Sequence, residues 1–226
     1  MNILGFFQRL GRALQLPIAV LPVAALLLRF GQPDLLNVAF IAQAGGAIFD
    51  NLALIFAIGV ASSWSKDSAG AAALAGAVGY FVLTKAMVTI NPEINMGVLA
   101  GIITGLVGGA AYNRWSDIKL PDFLSFFGGK RFVPIATGFF CLVLAAIFGY
   151  VWPPVQHAIH VGGEWIVSAG ALGSGIFGFI NRLLIPTGLH HALNNVFWFD
   201  TIGLGDLSHF WAGETSADVT WSLGMY

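Results

Sequence analysis

An all-α membrane protein, a polytopic helical bundle of about six spans, is the fold this sequence predicts. Four observations predict it. Of 226 residues, 57% are hydrophobic and 9% are charged, where a soluble domain carries about 25% charged residues. Mean hydropathy is +0.81, a value that suits a bilayer. The apolar residues gather into runs near the ~20 residues that a helix needs to cross about 30 Å of hydrocarbon. The basic residues concentrate in alternate polar turns, which is how membrane proteins fix their orientation. A net charge of −1 suggests no nucleic-acid partner. The single cysteine, Cys141, lies inside an apolar run. It permits no disulfide framework within the chain and no CxxC metal spacing.

The elements follow in order. Met1–Arg12 is a short amphipathic lead, with Phe6, Phe7 and Leu10 on one helical face beside Arg9 and Arg12. That pattern suits a helix at the membrane surface. Leu14–Leu28 is the first span, despite Pro17 and Pro22. Neighbouring helices can satisfy the backbone groups that proline frees in a membrane. The run exceeds a signal-peptide core and has no clear cleavage site, so it is read as retained. Asp34–Ala44 is a shorter apolar piece, broken at Gly45-Gly46. Ile48–Trp64 is the second span, with Asp50 and Asn51 near its start. A polar turn at Ser65–Ser68 leads to the third span, Ala69–Ile90, which carries Lys85. Asn91–Glu93 turns the chain into the fourth span, Ile94–Tyr112. Asn113–Arg131 is the longest polar loop. Phe132–Trp152 is the fifth span, closed by Pro153-Pro154. An amphipathic helix over Val155–Val167 then runs into a sixth apolar segment, Ala169–Ile185. Asp200–Thr220 is too polar to span.

With the N-terminus in the cytoplasm, the cytoplasmic segments hold Arg9, Arg12, Lys66, Arg114, Lys119, Lys130 and Arg131. The outer loops between the first five spans then hold only Arg29. This asymmetry predicts a multi-pass protein with a cytoplasmic N-terminus.

Several side-chain groups carry possible chemistry. Gly101, Gly105 and Gly109 lay a smooth stripe along the fourth span. Such a stripe permits close helix approach, either within one subunit or across the interface of a two-fold dimer. These three glycines are the candidates for the dimer interface. Asp50, Asn51 and Lys85 are polar groups within spans. Burying charge at bilayer depth costs on the order of 3 kcal/mol on insertion scales. Structural roles and a place along a solute path are both open for them. His157, His160 and Glu164 share a helix face, but the ordinary reading is a polar surface, and no metal site is assigned. His190 and His191 follow a Pro-Thr-Gly break and precede Asn194-Asn195 and the aromatics Phe197, Trp198 and Phe199. A broken helix at membrane depth is tolerated where it lines a cavity. Imidazoles and amides bond sugar hydroxyls, and rings stack on a sugar's C–H face. An interfacial helix end with an aromatic belt is the plainer alternative.

Four segments carry a family resemblance, in matching order. They are Gln15–Leu28 (QLPIAVLPVAALLL), Asp50–Ala61 (DNLALIFAIGVA), Lys119–Ile135 (KLPDFLSFFGGKRFVPI) and Leu184–Ala192 (LIPTGLHHA). Together they resemble the membrane component, enzyme IIC, of the bacterial sugar phosphotransferase system, glucose superfamily. Met1–Gly31 resembles members specific for N-acetylglucosamine more than those for glucose or maltose. The resemblance implies a homodimeric permease of the bacterial inner membrane, partnered by the IIB and IIA components and needing no cofactor. A phosphocysteine on IIB would phosphorylate the sugar 6-hydroxyl as the sugar passes. It implies a dimerisation bundle over 1–152, then an amphipathic helix and the start of a sugar transport domain over 153–226. The motif histidines His190 and His191, with Asn194, Asn51 and Lys85, are the candidate sugar-binding residues. The family's later glutamate hairpin and the phosphocysteine motif are absent from this sequence. No catalytic residue is therefore assigned, and the chain is expected to be the N-terminal part of a permease, inactive alone. A glucose-specific member, a dimerisation module without transport activity, and an ion-coupled half-transporter are the alternatives.

Overall fold

The computed structural model describes residues 3–33 and 35–184, apart from the side chains of residues 3, 4, 160, 163, 164 and 167. All regular structure among them is helical. The helices are α1 (Ile3–Ile18), α2 (Leu21–Phe30), α3 (Ala39–Asp50), α4 (Leu52–Trp64), α5 (Gly70–Ile90), α6 (Gly97–Trp115), α7 (Phe132–Ser168) and α8 (Gly170–Leu184). Two short 3-10 turns, Asp122–Phe127 and Gly129–Arg131, lie between α6 and α7. Chain contacts divide the protein into two units. Among the described residues, one holds α1 with Leu52–Pro154, and the other holds Ala19–Asn51 with residues 155–184.

In the first unit, α1 presents Leu10, Ala13, Leu14 and Pro17 inward, and all four are buried. Their spacing is one stripe of a 3.6-residue helix. The stripe lies on α4, where Pro17 would meet a Cβ placed on Gly59 at 2.8 Å. Proline also explains why α1 stops. Pro22 has no N–H to continue the α1 ladder, but at the first turn of α2 it loses nothing.

Helices α4, α5 and α6 pack by backbone approach. Gly76 of α5 faces Ala57 and Ala61 of α4, and Gly108 of α6 lies against the backbone of Gly76. Without apolar surface to hide from lipid, association of membrane helices rests on such close van der Waals contact. Helix α7 closes on α5, with Cys141 and Thr137 beside Gly79, and Ile90 beside Gly149. A core of Leu83, Met87, Ile94, Met96, Ala100, Cys141 and Ala145 fills the space between α5, α6 and α7.

In the second unit, α2 and α3 form a close pair. A Cβ on Gly45 would run into the Leu28 backbone, and one on Gly31 into the Ala42 backbone. Helix α8 starts at Gly170, whose φ of 57° suits glycine.

Three expectations change. Gly45-Gly46 does not break the chain; α3 runs through both residues because Gly45 serves the approach of α2. The second span is interrupted instead at Asn51, between α3 and α4. Pro153-Pro154 does not close the fifth span either; α7 continues through both prolines to Ser168. By length and composition, Gly5–Phe30, Gly70–Ile90 and Gly129–Ile159 can cross a membrane, and α3 with α4 makes a fourth candidate as one broken span. Among the described residues the expected count of about six is therefore not confirmed.

Candidate functional site

The polar loops of the first unit converge at one end, around the C-termini of α4 and α6 and the N-termini of α1 and α7. The Trp64 carbonyl, left unpaired by the end of α4, accepts from Arg9 Nη2 at 2.7 Å and from Asn113 Nδ2 at 3.0 Å. The Arg9 guanidinium also lies 4.3 Å from the Trp64 ring centroid. One arginine thus satisfies a helix terminus and stacks on an aromatic face. Asn113 accepts from the Lys66 backbone N–H at 2.7 Å through Oδ1. Lys66 Nζ donates to Asp117 Oδ2 at 2.8 Å. The buried Tyr112 hydroxyl donates to Asp67 Oδ2 at 2.8 Å, and Lys130 Nζ stands 3.6 Å from the same oxygen.

These partners shift the titration of the loop acids and of Lys66. The Tyr112 hydroxyl, then Lys130, holds the Asp67 carboxyl below the usual carboxylate range. The Lys66 ammonium, helped by the Ser116 hydroxyl, does the same for Asp117. Asp117 in turn raises the Lys66 ammonium. All three groups lie at the solvent-exposed end of the unit.

The loop that leads into α7 is folded on itself. The Gly129 N–H donates to the Ile118 carbonyl at 2.9 Å, and its φ of 63° is the conformation that glycine adopts freely. Arg131 Nη1 donates to the Phe126 carbonyl at 3.1 Å and lies 4.7 Å from the Phe126 ring centroid. The basic pair of the signature segment thus has local work: Lys130 turns toward Asp67 and Arg131 locks the aromatic turn. Phe123, Phe126 and Phe127 remain exposed.

The sequence-predicted site residues fall as follows. Asn51, at the C-terminus of α3 in the second unit, is exposed and donates through Nδ2 to the Ala47 carbonyl at 2.8 Å. Lys85, in the first unit, is exposed on α5. His190, His191 and Asn194 lie outside the described residues. So do the side chains of His160 and Glu164, while His157 sits within α7.

The glycine stripe is corrected. Gly101, Gly105 and Gly109 do not face outward toward a second subunit. All three are buried against α4 of the same chain. A Cβ on Gly101 would strike the Ala53 carbonyl oxygen, one on Gly105 would come 2.7 Å from Val60 Cβ, and one on Gly109 would come 2.7 Å from Trp64 Cβ. Period-four glycines announce close approach but not the partner, and here the partner is intramolecular.

Sequence reading missed the roles of Trp64, Asp67, Tyr112, Asn113 and Asp117. Their one signal was position. Each ends or flanks an apolar run, where orphan helix groups and loop charges must be satisfied.

A phosphotransferase-system EIIC family model matches residues 11–223. The chain is 88% identical over 226 residues to the N-acetylglucosamine-specific EIICBA component of Escherichia coli K12, an alignment covering 96% of this chain and 35% of that protein. It is 51% identical to the N-acetylglucosamine-specific EIICB component of Bacillus subtilis, covering 99% of this chain and 50% of that protein. It is 43% identical to the glucosamine-specific EIICBA component of Bacillus subtilis, covering 93% and 37%. The chain thus spans between about a third and half of these relatives' length.

Proposed function

The chain belongs to the phosphotransferase-system EIIC family, and from that premise we propose that it is the sugar-conducting membrane part of a phosphoenolpyruvate-dependent phosphotransferase, with N-acetylglucosamine as its sugar. The observation that carries the sugar assignment is the 88% identity, sustained over 226 residues, with a relative named for N-acetylglucosamine. At 51% identity the relative's name still carries that sugar, whereas at 43% it carries glucosamine.

In this reading His190, His191 and Asn194 bond the sugar hydroxyls, with Asn51 and Lys85 along the sugar's path. The IIB component brings the phosphoryl group on a cysteine, supplied in turn by IIA. The sugar 6-hydroxyl oxygen forms the new bond to phosphorus as the sulfur–phosphorus bond breaks, the cysteine leaves as its thiolate, and the hydroxyl proton passes to solvent. A dianionic sugar phosphate cannot recross hydrocarbon, so transfer traps the sugar inside.

The inner membrane is the location, with the N-terminus cytoplasmic. The gathering of Arg9, Lys66 and Lys130 at one end of the first unit supports that orientation, because cytoplasmic loops concentrate basic residues. The donor components then approach this end. A homodimer belongs to the reading as well, through a surface other than the Gly101–Gly105–Gly109 stripe.

Isothermal titration of N-acetylglucosamine and of glucose tests the proposal, on this chain and on a longer permease domain that contains it. The longer domain is expected to bind N-acetylglucosamine, and His190→Ala or His191→Ala to abolish that binding. Tighter binding of glucose, or unchanged binding by both alanine variants, would overturn the sugar and site assignments respectively.

A further inference from the structure

An apolar groove of about 390 Å³ runs between α6 and α7. Val107, Ala110, Trp115, Phe140, Val143 and Leu144 line it, and Arg114 is its one charged lining residue. Along α6 the lining extends from Val107 to Trp115, a rise of about 12 Å at ~1.5 Å per residue. Trp115 stacks on Phe140 with ring centroids 5.4 Å apart and planes within 10°. Phe140 and Val143 remain exposed, so the groove is open along its side.

Arg114 stands in the last turn of α6, beside the polar loops. Arg9, Lys66, Lys130 and Arg131 at this end all have partners. Arg114 is exposed, and its side chain makes no hydrogen bond or ion pair among the described residues. The nearest acid in sequence, Asp117, is held by Lys66 at 2.8 Å.

We propose that this groove binds an anionic phospholipid, its acyl chain lying between α6 and α7 and its phosphate paired with Arg114. The volume falls in the range of small-molecule sites, and the lining is one that hydrocarbon wets. A guanidinium offers two parallel N–H donors to phosphate oxygens. No carboxylate in the lining competes for Arg114 or repels the phosphate. A second copy of the chain fits less well. An isologous two-fold contact would bring two Arg114 side chains toward one interface, with no lining acid to pair either.

Native mass spectrometry of the delipidated chain, with phosphatidylglycerol or phosphatidylcholine of identical acyl chains added back, tests the site without sugar or phosphoryl donor. Wild type is expected to retain phosphatidylglycerol about fivefold more strongly, the factor that one basic residue supplies at an anionic surface. Arg114→Ala should remove that preference. Lys119→Ala, the same change of charge on an exposed loop residue, should leave it intact. Ala110→Trp should fill the groove and lower retention of both lipids. Equal retention of the two lipids by wild type overturns the proposal without recourse to any variant. A loss as large in Lys119→Ala as in Arg114→Ala would overturn it too, because the attraction would then be general charge. Disulfide cross-linking of two chains through Ala110→Cys in a Cys141→Ser background would replace the lipid with a second copy.

Discussion

The Gly105→Ala substitution tests the packing of α6 on α4 most directly. The new methyl would lie 2.7 Å from Val60 Cβ, 2.9 Å from the Ala57 carbonyl oxygen and 3.0 Å from Val60 Cγ1. Apolar carbons rest about 3.5–4.0 Å apart, so the two helices must part here by roughly 0.8 Å, the difference between 3.5 and 2.7. Two of the three obstructing atoms are a Cβ and a carbonyl oxygen, which no rotamer change can move. Gly101 and Gly109 sit about one turn to either side, and both are also tight against α4, Gly101 most of all, so a local shift spreads along the contact. Overpacking of this kind costs about 1–3 kcal/mol.

Alanine also gains helix propensity over glycine, about 1 kcal/mol, and a control must carry the same gain. Gly138→Ala on α7 does so, because its methyl would meet only Val78 Cγ1 at an ordinary 3.7 Å. The difference between the two variants isolates the clash. Thermal unfolding in detergent is the assay, followed by reaction of a maleimide dye with Cys141, the chain's one cysteine, which is buried at 0% exposure. Gly105→Ala should unfold below Gly138→Ala by roughly 2–4 °C for each kcal/mol. Equal midpoints for the two variants would refute the intramolecular packing. A Gly105→Ala protein that keeps its stability but changes its oligomeric state would restore the interface reading.

Three further outcomes are expected. Asp67 and Asp117 titrate below their ordinary values when folded, so their contribution is present above the unfolded carboxylate pKa of about 4 and is lost as pH falls through the lower folded values. Stability should therefore decline in that acid window, with less decline in Asp67→Asn and Asp117→Asn; an unchanged acid profile in both variants contradicts the network. Phe56→Ala removes a ring that is 2% exposed on α4 and should cost about 3–5 kcal/mol, a loss that chemical denaturation would report. A Lys119→Cys, Cys141→Ser protein in sealed right-side-out vesicles should resist an impermeant maleimide until the membrane is opened; labelling from outside would invert the proposed orientation.

Membrane residence, helical structure and family were all legible in the amino-acid order. Those follow from composition, from run length against bilayer thickness, and from the ordered motifs between Gln15 and Ala192, all of which are local or additive properties. Its polar turns at Ser65–Ser68 and Asn91–Glu93 were legible for the same reason. Much of the candidate site was not legible. Lys130 and Arg131 announced themselves as a basic motif, but the engagement of Lys130 with Asp67 depends on two loops that the sequence leaves tens of residues apart, while Arg131 folds back on Phe126 of its own loop.

Which surface each small or breaking residue serves emerges from three-dimensional packing. Gly45-Gly46 reads as a break in one dimension and becomes a contact with α2 in three. Pro153-Pro154 reads as a stop, yet α7 continues through it, since helix interruption by proline is a cost that surroundings can offset. The stripe of Gly101, Gly105 and Gly109 carries the same lesson. A missing side chain lets a neighbour approach, and which neighbour does so is settled by the packing of the whole bundle, here by α4.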